Sequence, residues 1–295
     1  MNESIKVNRQ MILNILPQRD DSGNKGSFGC LLSVCGSRDM TGAACLSSMA
    51  ALRCGIGLLA LASVPEVLSA AKGAVWEAIY IPLEETIDGR ITDSSKDRIL
   101  SFARASAMLA GCGIGKGIEG TRLLYELIEG SELPIIVDAD GLNCLADRFP
   151  DIGKRQGDVV ITPHIGEMSR LIKRDISVIK ADPSACASYF AREKHMTVVL
   201  KDSVTHIASP DGKVYMAGVP NSGMAKGGSG DVLAGCIGSF LAQGLSGIQA
   251  ALLGVTVHSA AGLMAAEKMG KYGMLPRDVI EMLPYAIKEL EERTV

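Results

Sequence analysis

AMLAGCGIGKGIEGTRLLYELIEGSELPIIVDADGLN, residues 107–143, reads as strand, helix, strand. A short apolar run over 107–111 ends in a glycine turn, a helical pattern covers 119–129, and a second apolar run over 134–138 ends in a carboxylate. Neither run alternates apolar with polar residues, as a half-exposed strand would. Continuously apolar strands linked by helices belong to a parallel sheet buried on both faces. The alternation extends outward from this unit. Upstream it predicts strands over 29–35, 57–62 and 78–81 and helices over 41–54 and 94–103. Downstream it predicts strands over 158–162 and 197–200 and helices over 166–172 and 183–194. Residues 204–208 and 213–216, joined by Ser209-Pro-Asp-Gly212, read as a hairpin. After Gly230 the pattern is helical to the end. The expected class is α/β: a mostly parallel central sheet with helices on both faces, a three-layer αβα arrangement. No low-complexity linker or fixed repeat interrupts residues 1–295, so a single domain is expected.

Composition narrows the function. The 295 residues carry 30 basic and 33 acidic side chains, a net charge of −3, without the basic excess of a nucleic-acid binder. Glycine, at 33 residues, far outnumbers the 12 aromatic ones (1 Trp, 6 Tyr, 5 Phe), which suits tight turns around a ligand better than base stacking. The eight cysteines form no C-x-x-C pair and read as free, buried thiols in a reducing compartment, which implies a cytoplasmic location. Four scattered histidines without H-E-x-x-H argue against zinc catalysis. The N-terminus has charges where a signal peptide needs an apolar core. Residues 232–266 lack Asp, Glu, Lys and Arg, but Gly244-Leu-Ser-Gly247 divides them. They read as two helices buried in a soluble core rather than as a membrane span.

Chemistry concentrates where strands end. Residues 36–40, 111–115, 138–143, 162–167 and 201–205 each follow a predicted strand, where open parallel sheets bind ligands. The strongest local signal is Asn221-Ser-Gly-Met-Ala-Lys-Gly-Gly-Ser-Gly-Asp231-Val-Leu-Ala-Gly235. Glycines where a helix begins leave amides free to surround an anion, which the helix dipole also favours. Lys226 and Ser229 could add donors, and a side chain at Gly228 is expected to fill the space the amides need. Asp231 has two readings on spacing alone. It could charge the first helical turn, worth under about 1 kcal/mol. It could instead take a proton from a hydroxyl attacking the phosphoryl group held by those amides. The turn matches neither the P-loop nor the dinucleotide glycine pattern.

With Lys25-Gly-Ser-Phe-Gly29, Val137-Asp-Ala-Asp-Gly-Leu-Asn143 and Thr162-Pro-His-Ile-Gly-Glu-Met168, this turn resembles the NAD(P)H-hydrate dehydratase family of the ribokinase-like superfamily, in order from about Lys25 to Leu283. The resemblance implies a ribokinase-like fold and a nucleotide-dependent lyase that repairs the S epimer of hydrated NADH or NADPH. A phosphoryl group from ADP or ATP, with ADP preferred and Mg²⁺ as companion, passes to the ring hydroxyl, and phosphate then leaves. By matched position, Asp231 is the implied catalytic base and substrate contact. Gly227, Gly228, Ser229 and Gly230 are the implied anion hole, joined by Lys226. Lys201, Asp202, Ser203, Val204, Thr205 and Asn221 are implied nucleotide contacts; Ala43, Gly113 and His164 are implied substrate contacts. Asn143 and Glu167 are implied near the metal, directly or through water. A homotetramer is also implied, with no membrane or nucleic-acid partner and no fused epimerase domain.

Read singly, several of these residues have plainer roles. His164 could bond a neighbouring carbonyl, Asp138 and Asp140 could form a turn beside Gly141, and Glu167 could charge a helix start. His195, His206 and His258 receive no role. The chain departs from the family pattern at Cys112 and Ile165, where proline is usual, at Asp202, where glycine often stands, and at Ser229, where threonine is common. Asp202 bears on nucleotide preference because it adds negative charge near the nucleotide segment. The alternative reading is a ribokinase-like kinase for a hydroxylated vitamin precursor, which would stop at the phosphorylated product.

Overall fold

A computed structural model describes residues 4–150, 152 and 155–292. Ten strands make one sheet: β1 (Ile5–Lys6), β2 (Cys30–Val34), β3 (Leu58–Ser63), β4 (Ile79–Pro82), β5 (Ala107–Ala110), β6 (Ile135–Val137), β7 (Val159–Ile161), β8 (Thr197–Leu200), β9 (Thr205–Ala208) and β10 (Val214–Ala217). Their spatial order is β1-β10-β9-β8-β7-β6-β5-β2-β3-β4. All pairings are parallel except those of β9 with β8 and β10. The expected hairpin is therefore the antiparallel piece, and the sheet is mixed but mostly parallel.

Every residue of β2, β5, β6, β7 and β8 is buried. Since successive side chains point to opposite faces, both faces must be covered, which is why these strands read as unbroken apolar runs. Helices lie on both faces and complete three layers. The helix Ser229–Ala242 crosses the middle of the sheet, packing on β2, β5 and β6 and against the helix Thr41–Arg53. A Cβ at Gly235 would meet the Ser47 carbonyl oxygen at 2.1 Å, so glycine is what lets the two helices touch backbone to backbone. Twelve of the residues of Ser229–Ala242 are buried, which holds its first turn rigidly over the strand ends.

The helix Gly247–Gly273 begins where Gly244–Gly247 was expected to divide two helices. It is long and apolar enough to cross a membrane by length and composition, and 56% of its most apolar window is buried within the protein. All eight cysteines are free thiols, five of them buried.

The structure departs from the sequence reading in several places, including short helices at Arg9–Leu13 and Ile176–Ala181 that carry no expectation. The pair Ile5–Lys6 adds an edge strand beside β10. Pro65–Ala71 and Asp140–Leu145 are helices where none was expected. The expected helix over 94–103 divides into a 3₁₀ turn, Asp93–Ser95, and a short α-helix, Lys96–Leu100.

Candidate active site

Adjacent parallel strands β6, β7 and β8 end side by side, and the residues just beyond them form a row. Asp138 follows β6, His164 lies three residues beyond β7 and Lys201 follows β8. The Lys201 amide donates to the Pro163 carbonyl at 2.8 Å, extending the ladder past the strands. Across the row, Lys201 Nζ donates to Asp138 Oδ1 at 2.8 Å. Asp138 is 1% exposed, so this is a buried ion pair and not the turn-former that a single-residue reading allows. Asp140 does serve the turn: its Oδ2 accepts from the Gly115 amide at 3.1 Å, tying the glycine loop after β5 to the end of β6. Between the two aspartates Ala139 takes φ 55°, ψ −120°, an uncommon backbone for a residue with a Cβ.

The glycine turn faces this row. Residues of both surround a cavity of about 890 Å³, the turn with Gly227, Gly228, Ser229, Gly230 and Asp231 and the row with Asp138, His164, Glu167 and Lys201. Gly230 and Asp231 occupy the first helical turn, where amides have no intrahelical acceptor. The Ser229 amide is spent within the turn on the Lys226 carbonyl. A Cβ at Gly230 would point at Lys201 Nζ, 3.4 Å away, and at Asp138 Oδ2, 3.6 Å away.

Gly228 behaves differently from its sequence expectation. Its φ is +96°, and a Cβ there would run into Leu46 Cδ1 at 2.6 Å, away from the amides. The glycine is required for the turn to seat on the helix below, not to leave room for phosphate. Gly228→Val is therefore expected to lower unfolding stability by about 1–3 kcal/mol. Gly227→Ala, with nothing among the described residues within 4 Å of the new Cβ, should cost below about 0.5 kcal/mol when both variants are unfolded in urea.

Burial and charge set the protonation states. Asp231 is raised from its ordinary 3.8 to about 6, chiefly by burial and then by the Asp138 charge; a hydrogen bond from the Cys112 thiol and the Lys201 charge oppose this, and Asp140 adds to it. Glu167 is raised to about 7, mainly by burial. Burial pulls the Lys201 ammonium pKa down, but Asp138 and Glu167 outweigh it and hold the value above the ordinary one. His164 caps the helix Ile165–Ile172: its Nδ1 accepts from the Gly166 and Glu167 amides at 2.9 and 3.2 Å, while its own amide donates to Glu167 Oε2 at 2.8 Å. Burial, Lys201 and Arg170 lower its pKa, in keeping with a neutral ring whose Nδ1 lone pair serves the helix.

Of the residues singled out from the sequence, the cavity gathers Lys201, Asp202, Ser203, Thr205, Asn221, Lys226, Gly227, Gly228, Ser229, Gly230, Asp231, His164 and Glu167. Several are already engaged. Asn221 ties down its own loop, donating to the Gly262 carbonyl and accepting from the Gly223 amide. Lys226 Nζ donates to the Tyr272 carbonyl at 2.7 Å, and Asp202 is exposed with Oδ1 accepting from the Ser203 amide. Val204 does not line the cavity. Ala43 and Gly113 lie outside its lining and face each other, a Cβ at Gly113 meeting that of Ala43 at 2.8 Å. Asn143 borders a separate cavity with Lys116 and Arg148, and its Oδ1 accepts from Arg170 Nε at 2.8 Å. Arg170 thus engages the Asn143 amide oxygen, and Asn143 and Glu167 border different cavities.

His258, given no role by the sequence, lines the cavity with Nε2 buried and without a hydrogen-bond partner among the described residues. Burial lowers its pKa to about 4. It was hidden within an unbroken apolar helix, where a lone histidine carries no spacing signal.

The family model described as NAD(P)H-hydrate dehydratase matches residues 31–285. The bifunctional NAD(P)H-hydrate repair enzyme Nnr of Moorella thermoacetica is 38% identical over 278 residues, 94% of this chain and 52% of that one. The chain thus spans about half the length of the first curated relatives it matches. The ADP-dependent (S)-NAD(P)H-hydrate dehydratase of Xanthomonas campestris pv. campestris is 33% identical over 280 residues, 94% of each chain. The Bacillus subtilis ADP/ATP-dependent NAD(P)H-hydrate dehydratase, co-crystallised with ATP and Mg²⁺, superposes with a TM-score of 0.84 at 26% identity, covering 98% of this chain and 99% of that one.

Proposed function

This chain belongs to the NAD(P)H-hydrate dehydratase family, with a ribokinase-like fold, and from that premise we propose that it uses ADP, or ATP, to dehydrate the S epimer of hydrated NADH or NADPH. The observation that carries the reading is the position of Asp231. Its carboxylate stands at the start of a buried helix, beside amides with no intrahelical acceptor, with Lys201 across the same cavity.

In this reading the amides of the turn hold the phosphoryl group being transferred, and Lys201 offsets its charge. Asp231 accepts the proton of the ring hydroxyl as the hydroxyl oxygen bonds to phosphorus and the phosphoanhydride bond breaks, releasing AMP from ADP or ADP from ATP. The carbon–oxygen bond then breaks, phosphate departs with that oxygen, the neighbouring ring carbon gives up a proton to water, and the dihydropyridine re-forms. Magnesium, when bound with the nucleotide, neutralises phosphate charge. Glu167, a buried carboxylate on the cavity wall, offers the hard oxygen donor that Mg²⁺ takes, directly or through water, and Asn143, implied in the same role, keeps its Oδ1 on Arg170 in this structure. The reading treats the whole chain as one catalytic domain, and the homotetramer and the cytoplasmic location belong to the same proposal.

The test supplies S-hydrated NADH with each nucleotide in turn and follows the near-ultraviolet absorbance of the dihydronicotinamide. Absorbance should rise with ADP. A phosphorylated hydrate accumulating with no rise would mark a kinase instead. The pH profile gives a second check. Only the ionised carboxylate can accept a proton, so kcat/KM should be level above the Asp231 pKa and fall tenfold per pH unit below about 6. A profile flat from pH 5 to 8 (about the range where Asp231 titrates) would contradict it.

A further inference from the structure

Behind the base, three groups from three elements converge. Cys112 Sγ, a carboxylate oxygen of Asp138 and one of Asp231 all lie within 4.8 Å of one another. Cys112 belongs to the turn after β5, Asp138 to the end of β6 and Asp231 to the first turn of its helix. Cys112 is fully buried and Asp138 is 1% exposed. Lys201 satisfies Asp138 Oδ1, but Oδ2 is buried with no hydrogen-bond partner among the described residues. A buried carboxylate oxygen with nothing to accept is costly, and a cation is the partner that removes the cost.

The donor set selects the cation. A thiol is a poor ligand for Mg²⁺ and a good one for zinc or cadmium, which also accept carboxylate oxygens. Three protein donors with one open position suit a tetrahedral ion, and Asp231 opens on the cavity, from which water can complete the shell. Charge balances as well: a thiolate and two carboxylates are matched by one divalent ion and the Lys201 ammonium.

We propose that Cys112, Asp138 and Asp231 form a site for one thiophilic divalent cation of the zinc class, and that its occupancy withdraws Asp231 from proton transfer. On binding, the thiol releases its proton to solvent, a sulfur–metal bond forms, and no electrons are exchanged. The contact with Cys35 and burial hold the free thiol well above its usual pKa, so the ion itself drives the deprotonation. The site is independent of the dehydratase reading; only its inhibitory consequence rests on it.

Cadmium chloride titrated into the full-length protein tests the site through the ultraviolet thiolate-to-cadmium charge-transfer band. Other cysteines contribute, so the signal is the difference between wild type and Cys112→Ala. One saturating equivalent should vanish in Cys112→Ala, weaken about tenfold or more in Asp138→Asn, and persist in Cys45→Ala. Thermal melts establish that each variant is folded, and Cys112→Ser replaces Cys112→Ala if the latter is not. Identical titrations of wild type and the folded Cys112 variant overturn the site. In the turnover assay, the zinc concentration for half-inhibition should rise about tenfold or more in that variant relative to its own metal-free rate. Unchanged sensitivity overturns the inhibitory role. A protein inactive on hydrated cofactor that still shows the cadmium difference keeps the site and fails only the dehydratase reading.

Discussion

Asp231→Asn should lower turnover by about 10³-fold while leaving nucleotide affinity within a few-fold of wild type. The asparagine keeps the shape of the side chain but cannot accept the hydroxyl proton, and it does not disturb the amides of the turn. The same substitution should stabilise the free protein. Burial and the Asp138 charge raise the Asp231 pKa from 3.8 to about 6, so the folded state holds the ionised form at a disadvantage. The sign follows from linkage. A raised folded-state pKa gives stability that is present below the unfolded value and lost as pH rises through about 6, so the ionised carboxylate is a net cost near neutrality. Removing the charge should return about 1–3 kcal/mol in urea unfolding at pH 7. A residue that merely charged a helix start would do the opposite, since its loss would destabilise by under about 1 kcal/mol. Lower activity with higher stability therefore separates the two readings of Asp231 that spacing leaves open. Near-normal turnover in the variant would remove the base.

Lys201→Met should cost about 3–5 kcal/mol of stability and most of the nucleotide affinity. The methionine fills similar volume but leaves Asp138, 1% exposed, without its cation, and also strips a neutralising charge from Glu167. An uncompensated buried carboxylate is the expensive part, so adding Asp138→Asn should restore most of the stability. It should not restore nucleotide binding, because the ammonium facing the turn is still missing. Urea unfolding and nucleotide titration of the two variants and the double variant separate these effects. A double variant as unstable as Lys201→Met alone would mean that the lysine acts through packing and not through the ion pair.

The frame of the molecule was readable because the central strands are buried on both faces. Cys30–Val34, Ala107–Ala110 and Thr197–Leu200 could be only apolar, and their runs stood out. Ile5–Lys6 was not readable, since two residues on a sheet edge carry no pattern. Pro65–Ala71 has one helix signal, Pro65 at its first turn, which the surrounding apolar residues mask. In the site, Asp231 and the glycine turn were local in sequence and so visible. The Lys201–Asp138 pair joins residues 63 apart, and only the parallel order of β6, β7 and β8 brings them together. That a side chain at Gly228 would meet Leu46 while one at Gly227 would meet open space is not legible, because adjacent glycines look alike in a string and Cβ directions exist only in three dimensions.

In the proposed reaction the ring hydroxyl leaves as part of a phosphate ester after Asp231 has taken its proton. Hydrated NADH carrying heavy oxygen at that hydroxyl, incubated with ADP and the protein, reports it directly by mass spectrometry of the products. Heavy oxygen should appear in the inorganic phosphate, one label for each dihydronicotinamide regained. Label appearing in water, with unlabelled phosphate, would contradict it.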